Sequence, residues 1–142
     1  MTGRNWVWVR GKAPSVMPKS EKQKTRVCCE EFIAASLVPR IVKGCNPNIK
    51  QQQCVGISLK VYKNFFRLSA RINDTRDEVT ENEYEIPFAR VEYCGEDRFS
   101  CSYLRYNGEW VDFTFGQPAP LSDCFKLIVE QPHFMVMDMF GS

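Results

Sequence analysis

Residues 86 to 115, IPFARVEYCGEDRFSCSYLRYNGEWVDFTF, read as three antiparallel strands joined by two tight turns. Eight of the chain's 18 aromatic residues (3 Trp, 5 Tyr and 10 Phe) fall in these 30 positions, about twice an even share, as expected of a sheet wall. Asn107-Gly108 is the strongest short hairpin signal in the chain. Both central residues of a type I′ turn need positive φ, and Asn and Gly tolerate it best. A two-residue loop there sets Leu104 against Val111, Tyr103 against Asp112 and Ser102 against Phe113, with Arg105 facing Trp110. Alternation then separates two faces. Leu104, Tyr106, Val111, Phe113 and Phe115 form an expected core face, and Phe99, Cys101, Tyr103, Arg105, Trp110 and Asp112 a mixed outer one, on which Arg105 covers the Trp110 ring.

Upstream, residues 55 to 72 form a hairpin whose two halves match. With Lys63-Asn64 at the tip, Val61 faces Phe66, Leu59 faces Leu68, Ile57 faces Ala70 and Val55 faces Ile72, so every core pair is apolar and a one-residue slip would destroy the match. The other face shows Ser58, Lys60, Arg67, Ser69 and Arg71, which is basic. Residues 73 to 83, NDTRDEVTENE, read as an acidic exposed loop.

Two helices bracket the strands. Ser20 is placed to cap a helix that runs to Val38 and stops at Pro39, with Cys29, Phe32, Ile33, Ser36 and Leu37 as its inward stripe. After Gln117-Pro118-Ala119-Pro120 breaks the sheet, Ser122 caps a short helix that ends before Pro132, with Leu121, Phe125, Ile128 and Val129 inward. The expected fold is α+β: an antiparallel sheet of about five strands, a hairpin plus a three-stranded meander, with the N-terminal and short C-terminal helices on one face. Residues 1 to 19 read as an extended basic arm and residues 20 to 142 as a single α+β domain. In the arm, Trp6 and Trp8 alternate with valines and suit an edge strand.

The net charge of +2 conceals a division. Residues 1–73 hold 14 Lys and Arg against 3 Asp and Glu, net +11, whereas residues 74–142 hold 5 against 14, net −9. A polarised chain of this kind attracts phosphate backbones or acidic proteins, unless its halves interleave and neutralise each other. No window approaches the roughly 18 apolar residues of a membrane span, and the N-terminus lacks the apolar core of a signal peptide. The expectation is therefore a cytoplasmic protein with no membrane contact.

Seven cysteines, at 28, 29, 45, 54, 94, 101 and 124, form no C-x-x-C pair, and His133 is the chain's single histidine. Structural zinc sites supply closely spaced thiolates, so free thiols and no metal are expected. Cys94 and Cys101 flank a turn and lie within reach of each other, but a reducing compartment and the odd total favour buried free thiols. There is no nucleophile motif, phosphate-binding loop or dinucleotide turn, and the carboxylate pairs Glu30-Glu31 and Glu83/Glu85 arise readily by chance in so charged a chain. No catalytic residue and no cofactor is expected.

The run Ile86-Pro87-Phe88-Ala89-Arg90-Val91-Glu92-Tyr93, the aromatic strand after it, Asn107-Gly108-Glu109-Trp110 and the helix ending Glu130-Gln131-Pro132-His133 resemble a family of small uncharacterised bacterial domains. Trp6-Val7-Trp8 and Pro39 are compatible with that pattern, and Cys28, Cys29, Cys45 and Cys54 stand outside it. The resemblance implies the α+β fold, an unassigned activity and no functional residue to carry over.

Function is then expected from binding surfaces. The first expectation is a protein-interaction or assembly module, a homo-oligomer or one part of a complex. It is anchored by Trp6, Trp8, the Met-rich tail HFMVMDMF and the surface around Trp110. The alternative is single-stranded nucleic acid or another polyanion, held by Lys60, Arg67 and Arg71 beside Tyr103, Arg105 and Trp110, with Arg10 and the basic arm extending the site.

Overall fold

The computed structural model describes residues 16–42, 52–74, 82–105, 107–131 and 134. Helix α1 spans Lys19–Phe32, strands β1 to β5 span Gln52–Tyr62, Phe65–Asp74, Asn82–Gly95, Arg98–Leu104 and Trp110–Asp112, and helix α2 spans Leu121–Glu130. The strands follow chain order, β1-β2-β3-β4-β5, every neighbour antiparallel. The expected hairpin and meander are thus one continuous sheet, joined because β2 pairs with β3 from Phe65↔Glu92 to Asp74↔Asn82. Both ends of the expected acidic loop, Asn73 and Asp74 on one side and Asn82 and Glu83 on the other, are strand.

The core lies between one face of the sheet and the helices. Phe66, Leu68, Ala70 and Ile72 of β2 are fully buried, as are Ala89 and Val91 of β3 and Cys101 of β4, all on one alternation phase. Against them pack Cys29 and Phe32 of α1, Ile33 and Leu37 beyond it, and Cys124 and Ile128 of α2. The helices meet each other through Phe32 and Phe125, whose rings stack at 4.2 Å. Phe134 closes one end, edge-on to Tyr103 and Phe113 at 5.8 and 5.7 Å.

Several local expectations are corrected. Neither Ser20 nor Ser122 caps its helix, since Pro18 and Pro120 occupy the cap positions without a side-chain bond and each serine lies inside the first turn. The first helix does not stop at Pro39. It continues over Ile33–Val42 in wider π-type turns with Pro39 inside, and there the proline removes one backbone donor from the ladder without ending the helical run. In β1, Ile57, Leu59 and Val61 keep the expected partners, but an irregularity between Cys54 and Gly56 leaves Val55 without a partner and 39% exposed. Cys54 takes the place opposite Ile72 and is buried.

The turn chemistry also moves. The two-residue loop with positive φ at both positions is Glu96-Asp97, at 52° and 59°, between β3 and β4. At Asn107-Gly108 the loop has three residues: Arg105 N–H donates to Glu109 O, Gly108 N–H to Arg105 O, and of Asn107 and Gly108 only the glycine takes positive φ, 88°. Leu104 therefore faces Trp110, Tyr103 faces Val111 and Ser102 faces Asp112, one residue away from the expected register. The slip inverts the faces assigned to β4. Phe99, Cys101 and Tyr103 point to the core side, while Leu104, expected in the core, shares the outer face with Ser102 and Trp110.

The last strand also ends earlier than expected. Asp112 terminates β5 by accepting bonds from Thr114 N–H, Thr114 Oγ1–H and Gly116 N–H, and Phe115, expected in the core, is 77% exposed.

Candidate functional site

The helices take one face of the sheet, and among the described residues no helix lies on the other. The centre of that second face is a row of cations. Lys60, Arg67 and Arg90 are successive cross-strand partners on β1, β2 and β3, and the row continues through Ser102 to Asp112. Like charges placed directly opposite each other on a sheet are destabilising, so this row costs folding free energy unless something offsets it.

Arg90 is held by aromatic rings. Its guanidinium carbon lies 4.7 Å from the centroid of Phe65 on β2 and 4.7 Å from that of Trp110 on β5. Trp110 stands two strands away on β5, and the intervening Ser102 is small enough for the arginine to cross β4. Desolvation beside these rings lowers the pKa of Arg90, and the Glu92 carboxylate opposes that effect. Arg67, opposite, is half-buried, and its Nε–H is buried with no hydrogen-bond partner among the described residues. A buried donor left unmade costs about 1–3 kcal/mol.

The neighbouring charges are engaged elsewhere. Arg71 lies across Gly56, leaving no room for a Cβ beneath its guanidinium, and pairs with Glu83 at 3.9 Å. Arg105 pairs with Glu109 at 3.9 Å across the β4–β5 loop instead of covering Trp110. Asp112 is occupied by its own turn. At the β1–β2 end of the face, Tyr62 is 64% exposed beneath the Lys63 ammonium, 5.4 Å from the ring centroid.

Of the residues expected to bind, Lys60, Arg67, Arg71 and Trp110 share this face. Tyr103 does not: its ring is packed on the core side against Phe113 and Phe134. Trp6, Trp8 and Arg10 lie outside the described residues, as does the tail except Phe134. Arg90 and Phe65 were not expected at all. The signal for Arg90 was present, because aligning the core phase Phe66, Leu68 with Val91, Ala89 puts Arg67 and Arg90 outward together.

The cysteines form a separate feature of the core. Cys28, Cys29, Cys54, Cys94, Cys101 and Cys124 form no disulfide among the described residues, Cys94 and Cys101 included. Cys101 Sγ–H donates to Cys124 O and Cys124 Sγ–H to Phe99 O, which ties α2 to β4. Among the described residues no group of three His, Cys, Asp or Glu side chains is arranged to hold a metal ion, and no helix is long and apolar enough to cross a membrane.

One family matches this chain, described as a domain of unknown function, DUF3024, over residues 17–137. The span runs from the buried Met17 through every described strand and helix, includes Phe65, Arg67, Arg90 and Trp110, and leaves out Trp6, Trp8 and Arg10. No curated protein and no solved structure matches the chain.

Proposed function

We propose, on the premise that the chain belongs to the DUF3024 family of domains of unknown function, that it is a binding module whose outer sheet face takes single-stranded nucleic acid. The observation that carries this reading is the row Lys60–Arg67–Arg90, three cations in register across three strands, none of which forms an ion pair with a carboxylate among the described residues. Phosphates supply the missing negative charge, and the rings of the exposed Tyr62 and the half-buried Trp110 offer flat surfaces for bases.

Affinity for a fluorescein-labelled thymidine 12-mer tests it. Three phosphate contacts on a single strand give a log–log salt slope near −2, so binding should weaken about 20-fold between 50 and 200 mM salt. Arg90→Ala should weaken binding about tenfold or more at 50 mM. No binding at low salt, or binding that ignores both salt and Arg90→Ala, would exclude the reading.

A second reading, a protein-interaction or assembly module, draws support from the division of charge along the chain and from two exposed apolar residues, Val16 at 72% and Phe115 at 77%. If opposite charges on two copies pair, static light scattering should give a dimer mass at 50 mM salt that falls toward the monomer at 500 mM. A monomer under both conditions counts against self-assembly.

A further inference from the structure

We propose that Arg67 and Arg90 together form a discrete oxyanion site that grips one phosphate group at the centre of the sheet face. The inference rests on the nucleic-acid reading for its biological ligand but not for its chemistry. The first observation is register: Arg67 and Arg90 are direct partners on β2 and β3, which places their Cβ atoms roughly 5 Å apart on the same face. The second is restraint. Phe65 and Trp110 both pack against the Arg90 guanidinium at 4.7 Å, so its donors are oriented before any ligand arrives and little side-chain entropy is lost on binding.

The third observation is the unmet donor. Arg67 Nε–H is buried and unbonded among the described residues, and the described acids nearest to it in the sheet are not its acceptors: Asp112 is bonded into the β5 turn, and Glu92 pairs with Phe65 and Ser100, two residues along the strands. Two guanidinium groups carry ten N–H donors in planar forks, matched to the several oxygens of a phosphate, and Lys60 adds a third charge beside Arg67. A single carboxylate would leave two of the three charges unneutralised, which favours phosphate as the ligand class. In this arrangement Phe65 and Trp110 are positioning residues for Arg90.

Arginine Nε–H resonances of ¹⁵N-labelled full-length protein, followed during titration with inorganic diphosphate, read the site directly. The Arg67 and Arg90 signals should move together and several-fold further than those of Arg26 and Arg98, and Arg67→Lys, which keeps the charge but removes the fork, should lose about tenfold in diphosphate affinity. Arg90→Lys should lose a similar factor, so the outcome does not depend on one variant folding. Sodium acetate at equal ionic strength should leave both signals in place.

If diphosphate moves the two signals and the thymidine 12-mer displaces it, the site and the nucleic-acid reading both stand. If diphosphate binds but the 12-mer does not, the site stands and that reading falls. If the 12-mer binds while the Arg67 signal stays still and Arg67→Lys binds as well as wild type, the oxyanion site is overturned. Acetate acting as well as diphosphate overturns it as a phosphate site.

Discussion

Replacing Phe66 with alanine should lower the unfolding free energy by about 3–5 kcal/mol, measured by urea denaturation at 25 °C with an unchanged m-value. Phe66 has no exposed surface and sits on β2, paired to Val61 on one side and Val91 on the other. The site cannot collapse to refill the void, because hydrogen-bonded strands on both sides hold the backbone and the helix layer stands on other contacts such as Phe32 against Phe125. Domains of this size have about 5–15 kcal/mol in total, so the variant should be partly unfolded near 37 °C. A loss below about 1 kcal/mol would mean that β2 does not run through the centre of the core. Phe115→Ala, at a ring 77% exposed, should change stability by less than about 0.5 kcal/mol in the same experiment.

Alkali should destabilise the fold through its buried thiols. Burial, foremost, and then the neighbouring Cys28, Glu30 and Cys124 push the Cys29 thiol up from 9.0 to about 12. The Cys101 thiol is also raised, first by its hydrogen bond with Cys124 and then by burial. An acid whose folded pKa is raised stays neutral in the folded chain while the unfolded chain ionises. Stability from Cys29 is therefore complete below pH 9 and falls as pH rises from 9 toward 12.

The slope is about 1.4 kcal/mol per pH unit for each such thiol, so Cys29 alone removes about 4 kcal/mol across that window. Denaturation midpoints at pH 8, 9.5 and 10.5 should fall steeply for wild type and less steeply for Cys29→Ala, with the two curves converging as pH rises. Parallel curves would show that Cys29 is not buried as described. A folded protein at pH 10.5 as stable as at pH 8 would exclude the whole thiol account.

The β1–β2 register was legible as far as its apolar pairs went, because Ile57, Leu59 and Val61 have only one alignment that sets them against Ala70, Leu68 and Phe66. It failed one step later, at Cys54 to Gly56, where Arg71 needs the open space over Gly56 and pattern matching has no term for a bulge. The β4–β5 turn was misjudged for a related reason. Asn-Gly suits a two-residue loop and a three-residue loop with one positive-φ glycine equally well, so local chemistry leaves the choice open. What decides it is burial of Phe99, Cys101 and Tyr103 beneath α2 and Phe134, which sets the phase of β4 and obliges β5 to follow.

The same slip moved the candidate site. With Trp110 one register position away, Arg105 pairs with Glu109, and the ring passes to Arg90 on a strand that is not even its neighbour. Trp110 and a basic hairpin beside it could be singled out from alternation and charge alone; Arg90 shares the outward phase, but it joins them only through the β2–β3 pairing that links the hairpin to the meander.

By itself the amino-acid order determined the α+β class, the number and sense of the strands, the inward stripe of α1 and the basic outer phase of β2, since each follows from periodicity and charge within a short segment; in α2 it pointed to Ile128 but missed the buried Cys124. Only the tertiary structure decided that Phe65, Arg90 and Trp110 meet, that Tyr103 faces inward and that Arg67 keeps a buried donor unbonded. Those outcomes depend on bulges and loop lengths that shift one strand past another by a single residue. Because side chains alternate with a period of two, each such shift exchanges the faces of a strand.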